Sequence, residues 1–221
     1  MNTKDDCYPK SIILQAVYFK LRFTLSYRDV EEIMKIRGVI VDHATIQRWV
    51  YKFTPFIESE MKKGKVKVGA SWRFDETYIK VKGIWCYLYR AVDKLGNTVD
   101  FLLTRKRQKM NAQSFLIKAI SNNYKPRVIN IDKSGSNTAA IKVYNKRSFS
   151  KIKIRQCKYL NNVVEQDYRF IKWRIQNGLG FKSFESAKRT LSGIEVVHML
   201  RKNQMIRPRI SIFKSFCKLA G

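Results

Sequence analysis

The spacing of apolar residues changes once along the chain, near residue 64, and this change restricts the possible folds more than any other feature. Before it, apolar residues recur every three or four positions, as from Ile46 to Phe53, which is the period of an α-helix. After it, the segments 73–81, 85–92 and 98–103 alternate between apolar and polar residues and are separated by short turns. That pattern predicts an antiparallel meander of three strands.

Local signals indicate three helices in the first part. An apolar run over 12–21 indicates the first helix, and a capping box of Ser26 and Asp29 begins the second, which ends at Gly38. An N-cap at Asp42 begins the third. The third helix is predicted to begin at His43, and the basic stretch from Lys62 to Lys65 is interpreted as a linker. These signals predict a small all-α domain over residues 1–64.

The elements that follow the meander complete an α/β pattern. They are a helix over 111–121, a short buried strand over 128–131, a helix over 138–144, a strand over 152–156 and mostly helical residues from 162 onward, with a break at 178–180. Strands and helices in this order predict a mixed five-stranded sheet with helices, and therefore an α/β domain over residues 65–221.

Positive charge is the strongest feature of the composition, because 45 Lys and Arg against 17 Asp and Glu give a net charge of +28. A charge of that size repels itself in a compact chain, so a polyanionic partner is expected. Nucleic acid is the commonest such partner, which leaves DNA-binding and RNA-binding classes open. An anionic membrane is disfavoured, since no apolar run approaches the roughly 20 residues of a membrane span.

Two smaller features bear on location and on zinc. The opening segment, Met1 to Asp6, lacks the apolar core of a signal peptide, so a cytoplasmic protein is expected. The four cysteines are scattered and only His43 and His198 accompany them, so no zinc site is predicted.

Three acidic residues of the predicted second domain fall where carboxylates can carry chemistry. Asp75 lies inside the first strand, on a face shared with apolar residues, where an acid is costly unless it is paired or binds a metal. Asp132 ends the strand over 128–131, at the edge where α/β sheets bind ligands. Glu165 begins a helix on which Lys172 lies two turns further along the same face.

Each acid alone also has an ordinary structural interpretation. Asp75 could pair with a surface lysine, Asp132 could end a strand or cap a helix, and Glu165 could be the N3 residue of a helix capped by Asn162. Together, a strand Asp, a strand-end Asp and a helix Glu have the order of a ribonuclease-H-like metal site. Three carboxylates in one pocket repel by ~4 kcal/mol per pair at an effective dielectric of ~20, a cost that Mg²⁺ or Mn²⁺ removes. Two such ions can activate the attacking oxygen and stabilise the leaving oxygen at a phosphodiester.

The sequence resembles the D-D-E transposases of bacterial insertion sequences, specifically the insertion-sequence-six family, over nearly the whole chain. The matching segments are residues 25–32, 41–50, 75–81, 87–93, 132–133, 158–167, 180–183 and 193–195. The resemblance implies a helix-turn-helix domain followed by a ribonuclease-H-like catalytic domain. It implies Asp75, Asp132 and Glu165 as the metal-binding catalytic triad, with Lys172 as the basic residue that follows the glutamate.

The resemblance also implies a reaction and its partners. The enzyme would cleave DNA strands at the terminal inverted repeats of its element and transfer the 3′-hydroxyl into target DNA by a replicative route. Because two element ends must be paired, at least a dimer is expected on DNA, associated with the bacterial nucleoid.

The outer face of the third predicted helix is the candidate DNA-reading surface. Its residues are His43, Gln47, Arg48, Tyr51 and Lys52. In a major groove, Gln47 and Arg48 could read base edges while Lys52 holds phosphate. A plain three-helix packing unit is the alternative.

Three departures from the family pattern support a second hypothesis. The segment between Asp132 and Glu165 is shorter than usual, Ser134 to Thr138 replaces the usual turn, and Tyr168 stands where His is common. A catalytically decayed copy that only binds repeat DNA is therefore the alternative to an active transposase. A basic RNA-binding protein is the third hypothesis, and it explains the charge but not the three acids.

Overall fold

Along the sequence, helices precede and follow the strands in the computed structural model, which describes residues 7–132, 135–176, 180–206 and 211–221. The helices are α1 (Lys10–Arg22), α2 (Tyr27–Ile36), α3 (His43–Lys63), α4 (Lys109–Asn122), α5 (Gly135–Arg147), α6 (Asn162–Gln176), α7 (Phe184–Arg201) and α8 (Ile212–Leu219). The strands are β1 (Ser71–Val81), β2 (Ile84–Asp93), β3 (Thr98–Thr104), β4 (Val128–Ile131) and β5 (Lys153–Gln156). A 3-10 turn, Lys158–Asn161, precedes α6.

The five strands form one mixed sheet in the order β3-β2-β1-β4-β5. The first three strands are antiparallel neighbours, whereas β4 runs parallel to β1 and β5 runs parallel to β4. Helices join the parallel strands, because parallel neighbours require a crossover connection. The predicted ribonuclease-H-like fold class, with its mixed five-stranded sheet and helices, is confirmed, and every predicted strand agrees with the observed one to within two residues.

An aromatic core holds α4 against one face of the sheet. Trp72, Phe74 and Tyr89 come from β1 and β2 and are at most 1% exposed. Phe115 of α4 packs on Phe74 with 4.9 Å between the ring centroids. Because side chains alternate along a strand, this packing directs the Asp75 side chain to the opposite face of β1.

Contacts divide the chain into two compact units, residues 67–173 and a helical unit made of residues 1–66 and 174–221. The second part of the helical unit centres on α7, whose residues from Thr190 to Leu200 are all buried. α7 packs against α1, α3 and α8. Residues 174–221 therefore pack with the first part of the chain, although they follow the boundary predicted between residues 64 and 65. The division into a DNA-binding domain and a catalytic domain stays a prediction.

The predicted helix ends of the first part are present. The Ser26 hydroxyl accepts a hydrogen bond from the Asp29 amide at 3.0 Å, and the Asp29 carboxylate accepts one from the Ser26 amide at 2.6 Å. The Asp42 carboxylate accepts hydrogen bonds from two amides of the first turn of α3. Gly38, with φ of 77°, follows the end of α2 in the left-handed region that favours glycine.

The prediction that the linker begins at Lys62 is wrong, because Lys62 and Lys63 belong to α3. α3 continues through Pro55 to Lys63, and Lys62 donates a hydrogen bond to Glu58 one turn earlier at 2.6 Å. Buried Ile57 and Met61 extend the apolar side of the helix beyond the predicted region, so the helix continues until Gly64. Of the predicted break at 178–180, residues 178 and 179 lie outside the described residues. No helix in the described ranges has the length and apolar character of a membrane-spanning segment.

α1 and α7 come very close together at Gly193. A Cβ atom at this position would lie 2.5 Å from Cδ2 of Leu21, which is fully buried. Glycine inside a helix is less favourable than alanine by about 1 kcal/mol, so the close approach of the two helices accounts for its presence.

We expect Gly193→Ala to lower the free energy of unfolding by about 1–3 kcal/mol, because the added methyl group forces Leu21 out of its place. Urea denaturation followed by circular dichroism measures the change. Gly135→Ala is the matched control, since a Cβ atom there meets open space in a helix, and it should be neutral or slightly stabilising. Leu21→Ala combined with Gly193→Ala should cost less than the sum of the two single changes. Fully additive losses would contradict the close approach.

Candidate active site

Asp75 lies in the middle of β1, half-buried and paired across the sheet with Arg90 of β2. Burial raises the pKa of its carboxyl group from 3.8 to about 7, and the negative charges of Glu76, Asp132 and Glu165 add to the shift. The two other predicted acids are therefore near enough to act on Asp75 electrostatically. A desolvated carboxyl among negative charges is a place where a cation is favoured.

Asp132 follows β4 directly and is half-buried. β4 is the parallel neighbour of β1, with Arg73 opposite Asn130. Extending that register by two residues brings Asp132 level with Asp75. The sheet therefore places these two residues at the same level at the carboxyl end of β4, where α/β sheets bind ligands.

Glu165 is exposed in the first turn of α6. The alternative interpretation, with Asn162 as the N-cap, is wrong, because Asn162 has helical dihedrals (φ −52°, ψ −31°) and already belongs to the helix. The 3-10 turn that precedes it is tied to β4, since the Asn130 amide donates to Asn161 at 2.6 Å and to the Cys157 carbonyl at 2.9 Å. Glu165 is therefore not the N3 partner of a capping box centred on Asn162.

Tyr168 and Asp167 fasten α6 to the sheet beside Asp75. The Tyr168 hydroxyl lies 2.7 Å from the Asp75 carbonyl and 3.1 Å from the Leu88 carbonyl. The Asp167 carboxylate lies 2.8 Å from the guanidinium of Arg90, which is fully buried and sits 5.4 Å from the Tyr168 ring centroid. Tyr168 is one helical turn beyond Glu165, so these contacts determine where Glu165 can reach.

Glu76 organises the opposite face of β1. Its side chain is 4% exposed and forms an ion pair with Arg107 from the loop after β3. Its other carboxylate oxygen accepts a hydrogen bond at 2.7 Å from Asn137 in the first turn of α5. Asn137 belongs to the segment that departs from the family pattern, whereas Ser134 of the same segment lies outside the described residues.

Sequence reasoning did not find the supporting roles of Arg90, Asp167, Glu76, Arg107 and Asn137. One signal was available, since an arginine inside the otherwise apolar strand β2 requires a buried acidic partner. The identity of that partner could not be read from spacing, because Asp167 is far away along the chain.

The donor set fits a divalent cation, because carboxylate oxygens are the ligands that Mg²⁺ and Mn²⁺ prefer. The pKa of Asp75 is raised chiefly by burial and further by the neighbouring carboxylates, and a nearby cation would favour the ionised form of this acid. Within the described ranges, however, no three His, Cys, Asp or Glu side chains stand together closely enough to hold a metal ion. The three acids are electrostatic neighbours, since the charges of Asp132 and Glu165 both act on Asp75.

Comparison with known proteins decides the family. The family model of the IS240-type transposase DDE domain matches residues 69–204. A transposase for the insertion sequence-like element IS431mec of Staphylococcus aureus is 42% identical over 197 residues, or 88% of this chain and 86% of the relative. The chain belongs to the insertion-sequence-six family of DDE transposases. A second relative, the transposase for IS257 in transposon Tn4003 of Staphylococcus aureus, is 41% identical over the same shares of both chains.

Retroviral integrases are found among solved structures with a weaker likeness to this transposase. The HTLV-2 integrase catalytic core domain in complex with magnesium has a TM-score of 0.40 and 22% identity, and the match covers 49% of this chain and 70% of that one. The catalytic core domain of BIV integrase has a TM-score of 0.46 and 16% identity, covering 68% and 95%. These values are too low to add weight, so the fold assignment depends on the sheet order.

The predicted DNA-reading residues of this transposase lie on α3 within the helical unit. His43, Arg48 and Lys52 are exposed, whereas Gln47 and Tyr51 are half-buried. His43 contacts Glu31 at 2.8 Å, and the Gln47 amide donates a hydrogen bond to the Tyr51 hydroxyl at 3.0 Å. The helix-turn-helix role of α2 and α3 stays a prediction.

We expect Asp75→Asn to stabilise the protein above about pH 7 when divalent cations are absent. The pKa of Asp75 is raised from 3.8 to about 7, so the unfolded chain loses this proton first as pH rises. Stability is therefore lost between about pH 4 and pH 7, by roughly 1–3 kcal/mol after allowance for partial solvent exposure. Asp75→Asn has no carboxyl group to ionise at this position, so it does not lose stability in this way.

Urea midpoints at about pH 4 and pH 8 in EDTA measure the effect. The parent and Asp75→Asn should be similar at the lower pH and should separate at the higher one. Glu185→Gln, an exposed acid on α7, is the control and should show no such separation. A constant difference at both pH values would mean that Asp75 does not experience this electrostatic environment.

Proposed function

We propose that this transposase is an active enzyme that cuts DNA at the ends of an insertion sequence and joins those ends to target DNA. The observation that best supports this function is the half-buried carboxyl of Asp75, whose pKa is raised to about 7 by burial and by the charges of Glu76, Asp132 and Glu165. Such a site disfavours an ionised acid standing alone and favours a bound cation. Metal-dependent phosphodiester chemistry needs a site with this property.

Asp75, Asp132 and Glu165 are assigned as the residues that hold divalent metal ions, Mg²⁺ or Mn²⁺. Asp75 and Asp132 share the level of two neighbouring strands, and Glu165 is exposed on a helix that is fixed to the same strands. Because Glu165 is exposed, its side chain can change rotamer and turn inward without disturbing the core. When bound, the ions would supply positive charge to the attacking and leaving oxygens of the phosphodiester.

Lys172 is assigned to the DNA phosphate beside the metal ions. It is exposed on α6, two turns beyond Glu165, which corresponds to about 10 Å along the helix axis. An ammonium group at that distance from the carboxylates suits an adjacent phosphate, because lysine acts as a compact point charge.

DNA recognition is assigned to the exposed side of α3, with Gln47 and Arg48 at base edges, Lys52 at phosphate, and His43 and Tyr51 at the margins of that surface. The net charge of +28 supplies the attraction for the DNA backbone. The DNA partners are the terminal inverted repeats and the target. Two ends must be held together, so the active form is at least a dimer, acting at the nucleoid by a replicative route.

The second candidate is a decayed copy that binds DNA without cutting it. Two of the unusual residues support the active enzyme over the decayed copy, because they make contacts that stabilise the site. Asn137 is fully buried and donates to Glu76, while Tyr168 contacts the backbone of Asp75. Residues that had drifted after the loss of function would not be expected to fill such positions.

Asp75→Asn, Asp132→Asn and Glu165→Gln should each lower strand cleavage and transfer by at least about 100-fold while leaving DNA binding intact, because each removes a metal-binding carboxylate. The assay uses the purified full chain, Mg²⁺ and labelled duplexes that carry the repeats flanking its own reading frame. Glu32→Gln removes an exposed acid of α2 and should keep full activity. Cleavage by Asp75→Asn at the parent rate would disprove the site. A parent protein that binds these duplexes but cuts none at any Mg²⁺ or Mn²⁺ concentration would establish the decayed copy.

Substitutions on α3 should separate base reading from phosphate binding. Lys52→Ala should weaken binding to all duplexes equally and reduce the slope of log affinity against log salt by about 1, whereas Gln47→Ala should lower the preference for repeat DNA. Fluorescence anisotropy with repeat and scrambled duplexes measures both effects. Lys63→Ala is the control, since this lysine pairs with Glu60 at the far end of the same helix. Equal effects of Lys52→Ala and Lys63→Ala would contradict the assigned surface.

A further inference from the structure

A row of aromatic rings, half-buried at Tyr87 and exposed at Tyr78 and Trp85, lies on the hairpin formed by β1 and β2. It consists of Tyr87, Tyr78 and Trp85, which we call the aromatic ladder. Ring centroids are 5.2 Å apart between Tyr87 and Tyr78 and 6.2 Å apart between Tyr78 and Trp85. Tyr78 is 50% exposed and Trp85 is 55% exposed. Neighbouring exposed rings of this kind are a common mark of a binding surface.

The ladder continues the face of the sheet that forms the aromatic core. Tyr78 is four residues beyond Phe74, and Trp85 is four residues before Tyr89, so strand alternation puts all of them on one face. Phe74 and Tyr89 are buried beneath α4, whereas Tyr78 and Trp85 are exposed to solvent. The aromatic pattern thus extends past the part of the sheet that needs it for packing.

Basic residues lie beside the ladder. The Lys80 ammonium lies 5.6 Å from the centroid of the Trp85 ring. The exposed basic segment 105–109 begins directly after Thr104, which is paired with Tyr87 across β2 and β3. Glu76, an acid on the same face, is 4% exposed and already paired with Arg107. The surface of the ladder is therefore positively charged, which complements an anionic partner.

We propose that the aromatic ladder binds unpaired bases of single-stranded DNA, with Lys80 and segment 105–109 holding the phosphates. Aromatic rings beside cations form the usual platform for single strands, because each base offers a flat face for stacking. Bases in a duplex already stack on each other, so an intact duplex gains little from the ladder. A second copy of this chain is a poorer occupant, since the same positive charges would face each other.

This binding extends the proposed function without depending on catalysis, so Asp75→Asn should bind a single strand as tightly as the parent does. Tryptophan fluorescence gives a direct measurement in a Trp173→Phe background. Trp49 and Trp72 are 2% and 1% exposed there, which leaves Trp85 as the tryptophan that solvent and ligand can reach. The probe is a 12-nucleotide oligothymidylate, and its addition should quench the emission.

The affinity of the full chain for the same oligonucleotide should fall about 5- to 100-fold in Trp85→Ala and in Tyr78→Ala. Trp85→Phe keeps an aromatic ring and should retain most of the affinity. Trp173→Ala is the matched control, because Trp173 is 58% exposed on α6, and it should bind as the parent does. Binding of repeat duplexes should change less than twofold in every variant, and circular dichroism should show the parent melting temperature.

Three results would overturn the proposal. The first is that the oligonucleotide does not quench the Trp85 emission and that Trp85→Ala binds it as tightly as the parent does. The second is an equal loss of affinity in Trp85→Ala and Trp173→Ala. The third is a change of oligomeric state in the ladder variants, measured by sedimentation, with unchanged oligonucleotide affinity, which would identify the ladder as a contact between protein copies. Failure of the triad variants to lose cleavage would disprove the proposed function and leave the ladder result standing.

Discussion

The buried ion pair between Arg90 and Asp167 fixes α6 to the sheet beside the candidate active site. Arg90 is fully buried in β2, and its guanidinium lies 2.8 Å from the Asp167 carboxylate of α6. Loss of one partner from a buried pair generally costs about 3–5 kcal/mol, because the other charge is left without compensation. α6 therefore remains on the sheet, and Glu165, two residues before Asp167, remains beside β1. A contact outside the proposed triad thus determines the position of Glu165.

Strand β1 carries an acid whose ionisation lowers the stability of the fold. The pKa of Asp75 is raised to about 7, so an ionised Asp75 opposes folding at higher pH. The neighbouring residue Glu76 stabilises the fold through its contacts, since its carboxylate joins Arg107 and Asn137 on the opposite face. β1 thus alternates Asp75, the acid proposed to bind metal, with Glu76, an acid that joins other elements to the strand. Carboxylates that repel each other can persist in a fold when adjacent contacts stabilise the elements that bear them.

Local patterns predicted the elements well, and tertiary contacts account for what they missed. The alternation over 73–81 and the Asp42 cap were sufficient to predict β1 and the start of α3, because both signals act within a few residues. The membership of α7 in the helical unit was missed, since a helix buried nearly all round has no polar face to orient it. Asn162 was misassigned because a 3-10 turn, held by the side chain of Asn130, extends the helical conformation before the expected cap.

The chain combines a net charge of +28 with a cluster of negative charge around Asp75, and the two properties depend on each other in the proposed reaction. Distant lysines and arginines act on Asp75 weakly, because salt screens exposed charges beyond about 8–10 Å. Burial and the nearby carboxylates therefore prevail at the site, and its pKa rises despite the positive surroundings. The positive surface attracts the DNA backbone, but a phosphate that approached bare carboxylates would be repelled. Only cations held by those carboxylates would let a phosphodiester approach them, so a site of this sign in a protein of this charge is consistent with metal-dependent chemistry on DNA.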